Sequence, residues 1–213
     1  MRNYRATIEA AIDREVPHGK LRRGVPGDVS DNRLISDERP DAEELQAAEN
    51  LRLAAVLVAV VEHDTGPSVL LTRRADHLDS HSGQVAFPGG KVESSDATPA
   101  AAALREAYEE IGLAPDLVEI AGFLETYQTG TGFLILPVVG FVKPGFTLTP
   151  DENEVADVFE VPLATLMDAA QYESHDMFWR GKQRVYYSMD YQGYNIWGAT
   201  AGVLMQMSRR LGL

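Results

Sequence analysis

The segment that most constrains this chain runs from Gly89 to Leu113. Two adjacent glycines open it, Phe87-Pro88 stand before them, and a 12-residue run, Ala100 to Ile111, follows as the clearest helix in the sequence. Thr98 is placed to cap the helix start, Pro99 suits the first helical position because its missing N–H would have no partner there, and Gly112 suits the left-handed end. Inside the helix Glu106, Glu109 and Glu110 stand at i, i+3 and i+4, so three carboxylates share one face. Like charges at that spacing cost a helix a few tenths of a kcal/mol per pair, about 0.2–0.5. A hard divalent cation would remove the conflict, since Mg²⁺ and its relatives take oxygen ligands and pair with phosphates. A solvated acidic face is the simpler reading of Glu-x-x-Glu-Glu alone. The paired glycines favour the metal reading, because a glycine turn lets backbone approach a phosphate closely.

Around this segment the chain reads as a mixed α+β domain. Ala54 to Glu62 is a compact Val-rich run suited to a buried strand, and His63-Asp64-Thr65-Gly66-Pro67 is turn chemistry leading into a second strand, Ser68 to Arg73. An extended piece follows at 84–87. Strands are expected at 118–127, 133–142 and 159–162, then a helix at 163–170. A hairpin is expected across 183–196, turning at Asp190-Tyr191-Gln192-Gly193, and a closing helix at 200–211 with Ala201, Leu204, Met205 and Leu211 facing the core. Residues 1–50 differ in texture and are assigned to a separate helical and loop arm, with 51–213 as the main domain. Within the arm, 2–16 suits a helix with Tyr4, Ile8, Ala11 and Ile12 near one face, 18–40 suits loop, and 41–50 suits a short helix. Strands and helices without strict alternation suggest an α+β sandwich.

Composition narrows the function. The chain has 213 residues, 45% of them hydrophobic, enough for a real core. It has no cysteine, which excludes disulfides and thiolate chemistry. The net charge of −13 argues against sequence-independent binding to long nucleic acid, which needs a basic surface. No signal-peptide pattern follows the first residues, and the longest apolar stretch, near 53–61, is too short to span a bilayer. A cytoplasmic location without membrane contact is the expectation, and a homodimer is compatible with it.

The glycine–helix segment resembles the Nudix box, a loop–helix–loop that begins with Gly and ends in Arg-Glu-x-x-Glu-Glu-x-Gly plus an apolar residue. Gly90, Arg105, Glu106, Glu109, Glu110, Gly112 and Leu113 carry the match. The usual mid-box Glu is replaced by Asp96, one residue further from Arg105 than the general spacing, and the aliphatic position after Arg-Glu is Ala107. A wider stretch, from Leu70-Leu71-Thr72-Arg73-Arg74 through Gly83 to Phe87-Pro88-Gly89-Gly90, is similar to the coenzyme A diphosphatase branch, which shares the longer box. Ile196-Trp197-Gly198-Ala199-Thr200-Ala201 is also similar to that branch. Asp79 departs from it, where Arg is usual, and so does Ala102, where Thr is more common.

The resemblance implies a Nudix α/β/α sandwich with a mixed sheet. It implies metal ligation by Glu106, Glu109 and Glu110, with Glu109 and Glu110 also catalytic, and Mg²⁺ or Mn²⁺ as cofactor. Glu154, in Pro150-Asp151-Glu152-Asn153-Glu154-Val155, is the first choice for the further loop carboxylate that many Nudix enzymes use as ligand or general base, and Glu152 is the second. Arg105 and Asp96 are expected to support the box. Arg73, Arg74, Lys91, Gly89 and Gly90 are the expected substrate-binding groups. Arg73 and Arg74 are neighbours on one strand, so only one of them can easily face the site. His77 and His81 suit loop hydrogen bonds better than phosphate contact. The implied substrate is a small nucleotide, coenzyme A first and ADP-ribose or another nucleoside diphosphate derivative second. A Nudix-fold module that binds without catalysis is disfavoured by the intact glutamates.

Overall fold

A computed structural model describes residues 4–16, 51–78, 80–129, 131–179 and 182–212. The loop expected at 18–40, the helix expected at 41–50 and Asp79 lie outside the described residues.

The organising strand is β1 (Arg52–Val61). It pairs in parallel with β7 (Phe133–Val142) along its whole length, Arg52 opposite Phe133 through Val61 opposite Val142. At its far end it pairs antiparallel with β2 (Ser68–Arg74), and near its start with β4 (Gly89–Lys91). Strand β3 (Val85–Ala86) and β8 (Val155–Pro162) both join β2, while β5 (Val118–Phe123) and β6 (Tyr127–Gln128) join β7. Among the described residues these eight strands form one mixed sheet. A second, antiparallel sheet is made of β9 (Glu173–Trp179), β10 (Lys182–Tyr191) and β11 (Tyr194–Trp197).

β1 is apolar without alternation because both of its faces are covered, as parallel strands require. Ala55, Leu57, Ala59 and Val61 pack with Ala102, Ala103, Ala107 and Ile111 of α2 (Pro99–Ile111). Val58 and Val60 face the other layer, where Ile8 and Ile12 meet Ala201, Val203 and Leu204. That layer holds α1 (Tyr4–Ala11), the short α3 (Leu163–Leu166) and α4 (Gly198–Leu211). The result is the expected helix/sheet/helix sandwich. Ile8 is fully buried and Asp13 bridges Phe123 through the backbone, so residues 4–13 pack against the main sheet. The helix expected over 2–16 is shorter than that, because the chain turns into this bridge.

Small residues let α2 lie close to the sheet. Ala107, which stands where a larger aliphatic residue is usual, is completely buried. The helix ends follow the local signals: Thr98 Oγ1 accepts the Ala101 N–H at 3.1 Å, and Gly112 closes the helix at φ 70°. A methyl group at 112 would also come within 2.9 Å of the Thr149 nitrogen.

Several boundaries differ from the sequence expectation. β8 begins at Val155, four residues before the expected strand, since its pairing with β2 extends to Arg74. The helix expected over 163–170 stops at Leu166, and Asp168 caps a separate 3₁₀ turn, Ala169–Gln171, by accepting the Ala170 N–H. β4 and β9 were not expected. Two glycines make a poor strand signal, and β9 reads Glu-Ser-His-Asp-Met, a polar edge with no buried alternation.

Candidate functional site

The site is built on the exposed side of α2, where it crosses the start of β1 and β4. Helical periodicity aligns Glu106, Glu109 and Glu110, but tertiary packing gives each a different environment. Glu110 is almost fully buried. Its Oε2 accepts the Gly89 N–H at 3.0 Å, and its Oε1 lies 3.8 Å from Arg74 Nη1. Burial pushes its carboxyl up to about 7, with the charges of Glu106 and Glu154 adding to the effect and the Gly89 bond and Arg74 opposing it. Glu106 is half-buried and also raised, first by desolvation and further by Glu109 and Glu154 against the pull of Arg105. Glu109 is exposed.

Arg105 ties this face to the loop before it. Its Nε and Nη2 donate to Asp96 at 2.9 and 3.0 Å, Nη1 donates to Glu106 at 3.0 Å and Glu109 at 2.8 Å, and Nη2 also reaches the Lys91 carbonyl at 3.2 Å. Asp96 in turn accepts the Glu93 N–H at 2.8 Å. The guanidinium beside it holds the Asp96 carboxyl below its ordinary value. Asp96 therefore closes the loop and orients Arg105. The extra residue between them is absorbed by the turn at 93–96.

The glycines matter for space. A methyl group at Gly90 would lie 2.5 Å from the Glu106 carboxylate, so only glycine lets that group nest against the backbone. A methyl at Gly89, where φ is 152°, would meet the Ala55 carbonyl and Val56 Cα at 2.5 Å. Gly89 thus fits β4 against β1 and presents its N–H to Glu110.

Glu154 comes to the same place from a distant part of the chain. It sits at the end of the loop before β8, exposed, and its carbonyl accepts the Ala75 N–H at 2.9 Å. Its charge is felt by both Glu106 and Glu110. The loop is held to α2 by the Asp151 N–H bonding to the Glu110 carbonyl and the Thr149 N–H bonding to the Ile111 carbonyl, each at 2.9 Å. Glu152 is exposed on the same loop.

The two arginines part as strand alternation requires. Arg74 turns to Glu110, and its Nε is buried without a hydrogen-bond partner. Arg73 donates to Asp76 at 2.7 Å and faces a pocket bounded by residues 82–85 and 193–197. Lys91 contributes its carbonyl to Arg105 and is otherwise exposed. His77 is exposed, while His81 Nδ1 contacts Gln84 Oε1 at 2.8 Å within its loop. Sequence reasoning did not find Asn195, Tyr194 and Trp197 beside Arg73; the similarity over 196–201 was the only signal near them.

The donor set fits a hard divalent cation. It is all oxygen, and the neighbouring carboxylates add to the raised carboxyls of Glu106 and Glu110, a repulsion that a cation would relieve. Among the described residues no three acidic or histidine side chains converge as a ready chelate, because Arg105 holds Glu106 and Glu109 and the Gly89 amide holds Glu110. Ligation would require Glu109 to rotate from Arg105, a small motion for an exposed side chain.

Comparison with known proteins agrees. The NUDIX domain family matches residues 51–180. The uncharacterised Nudix hydrolase NudL of Enterobacter sp. (strain 638) is 44% identical over 164 residues, covering 77% of this chain and 85% of that protein. NudL of Salmonella newport (strain SL254) matches to the same extent. Among solved structures, the Nudix hydrolase RenU of M. smegmatis overlaps with a TM-score of 0.47 at 24% identity, covering 55% of this chain and 74% of the other. A C. elegans Ap4A hydrolase overlaps with a TM-score of 0.47 at 19% identity, covering 55% and 85%. These two overlaps are too partial to bear on function. With the glycine–helix segment, its glutamates and Arg105 all inside the matched region, the chain belongs to the Nudix family, hydrolases of diphosphate bonds.

Proposed function

We propose that this protein hydrolyses the diphosphate bond of coenzyme A or its derivatives, giving 3′,5′-ADP and a 4′-phosphopantetheine product, with Mg²⁺ or Mn²⁺ held by Glu106, Glu109 and Glu110. The observation that carries the reading is the meeting of Arg74 with Glu110. Arg74 comes from the start of the stretch similar to the coenzyme A branch and Glu110 from the box helix that follows it, and their approach brings a guanidinium charge to the carboxylate face.

A bound divalent cation would polarise phosphoryl oxygens and lower the pKa of a water. The chain supplies the rest, and in phosphoryl transfer that is mainly positioning and neutralisation of charge. Glu106 and Glu110 are held in place by the cleft at Gly90 and the Gly89 amide. Glu154, exposed and in electrostatic reach of both, is the group assigned to take the proton from the attacking water. Arg74, beside Glu110, supplies a positive charge at the carboxylate face that a substrate phosphate can share. Arg105, locked by Asp96, keeps the box loop and α2 in register. The net charge of −13 suits a small nucleotide better than a polymer. Among the described residues no helix is long and apolar enough to cross a membrane.

The test is kcat/KM for coenzyme A, dephospho-coenzyme A and ADP-ribose under one metal condition, with products identified by mass spectrometry. A charge-assisted contact to the 3′-phosphate is worth roughly 1.5–3 kcal/mol, so dephospho-coenzyme A should be about tenfold to a hundredfold poorer. A tenfold or greater preference for ADP-ribose over coenzyme A would overturn the substrate and leave the Nudix chemistry intact.

A further inference from the structure

A pocket of about 320 Å³, lined by none of the site glutamates, lies between the segment 82–85 and the β10–β11 turn with β11. It lies at the low end of the volumes in which small ligands bind. Its lining combines residues that sequence separates by more than a hundred positions: Arg73 and Gln84 with Tyr194, Asn195 and Trp197. Tyr194 is immobilised, stacked on Phe159 with ring centroids 3.8 Å apart and its hydroxyl donating to Asp157. Trp197 meets Tyr186 edge-on at 6.0 Å and is still 39% exposed. A partly exposed indole and a fixed phenol in one pocket offer aromatic surface to a planar ligand.

Left-handed backbone flanks the pocket on both sides. Among the described residues, the non-glycine positions with positive φ are His81 at 58° and Gln192 at 54°. Each stands directly before a lining residue, Ser82 and Gly193. At Gln192 this is the conformation the two-residue β10–β11 turn requires, with Gly193 at φ 86° beside it. The pocket and the carboxylate face are linked through β2. Arg73 and Arg74 are consecutive on β2, so strand alternation gives one to the pocket and the other to Glu110.

We infer that this pocket is a subsite for a phosphorylated nucleoside, with the base lying against Trp197, its polar edge read by Asn195 and Gln84, and a phosphate met by Arg73. Stacking on aromatic rings and amide contacts to ring edges suit a nucleobase. The bond from Arg73 to exposed Asp76 is a surface ion pair, weak enough to yield to phosphate. The assignment deepens the nucleotide reading above and rests on it for its place in the reaction.

The experiment follows Trp197 fluorescence in EDTA, with the chain's other tryptophan, Trp179, replaced by Phe in every variant. AMP, adenosine and ribose 5-phosphate are titrated in turn. AMP should change the emission saturably, adenosine should do so about tenfold to a hundredfold more weakly, and ribose 5-phosphate should leave it unchanged. Arg73→Gln should lower AMP affinity to that of adenosine and leave adenosine itself unaltered. Emission that ignores both AMP and adenosine would overturn the inference. So would an equal response to ribose 5-phosphate, or equal weakening of AMP and adenosine by Arg73→Gln. Coenzyme A hydrolysis is measured separately. Absence of turnover with intact AMP binding removes the substrate assignment and keeps the pocket, and turnover without AMP binding does the reverse.

Discussion

Glu110→Gln tests the electrostatics of the site without any substrate. Glu110 is nearly fully buried and its carboxyl is raised from 4.5 to about 7. A raised carboxyl takes up protons more readily in the folded than in the unfolded chain, so its contribution to stability is full below about 4.5 and is lost as pH rises through about 7. At 1.36 kcal/mol per pH unit the gap amounts to about 3 kcal/mol. Glutamine imitates the protonated acid and still accepts the Gly89 N–H. Its amide does face Arg74, which offsets some of the gain. The metal-free variant should therefore match wild type near pH 4.5 and exceed it by about 2–3 kcal/mol near pH 8.5, or roughly 5–10 °C in Tm for a chain of this size. Urea and thermal unfolding in EDTA at the two pH values measure this, and the difference between proteins cancels the titration of other groups. Added Mg²⁺ should narrow the gap at pH 8.5 by stabilising wild type selectively. A difference that stays constant within about 0.5 kcal/mol from pH 4.5 to 8.5 would refute the account of Glu110 as a buried, destabilised carboxylate.

Glu106→Gln and Glu109→Gln should fold normally and lose orders of magnitude in Mg²⁺-dependent turnover; near-normal rates in Glu109→Gln would remove it from the metal site. Gly90→Ala and Gly89→Ala should separate function from stability. The first presses only on the movable Glu106 carboxylate and should cut activity with little change in Tm, whereas the second meets backbone of β1 and should cost roughly 3 kcal/mol by thermal unfolding. Asp96→Asn should weaken the hold on Arg105 and lower kcat, and Asp96→Ala should be worse; equal activity in both and wild type would show that the loop closes without it. Glu154→Gln should flatten the acid limb of the pH–rate profile, and an unchanged rate and profile would exclude Glu154 from the chemistry.

The parts of this protein legible in sequence are those governed by short-range geometry. The spacing of Glu106, Glu109 and Glu110 places them on one helix face whatever the fold, and Thr98, Pro99 and Gly112 mark the helix ends through bonds within a turn. β1 and β7 are legible because a strand buried on both faces must be apolar throughout. Adjacent Arg73 and Arg74 had to diverge, since successive strand residues point to opposite faces. What each residue meets there is a tertiary matter. The different surroundings of three glutamates on one helix face come from β4 lying under Glu110 and open solvent over Glu109. Glu154 reaches the site because β8 extends its pairing to Arg74, a register that no local signal at 155–158 announces. β9 was missed because a polar edge strand shows no hydrophobic period, and the pocket beside Arg73 because its walls are 82–85 and 193–197. Helix faces and caps follow from bonds a few residues long. Desolvation and convergence depend on which distant backbones pack together, so the chemistry of Glu110 was decided only when Gly89 came to lie against it.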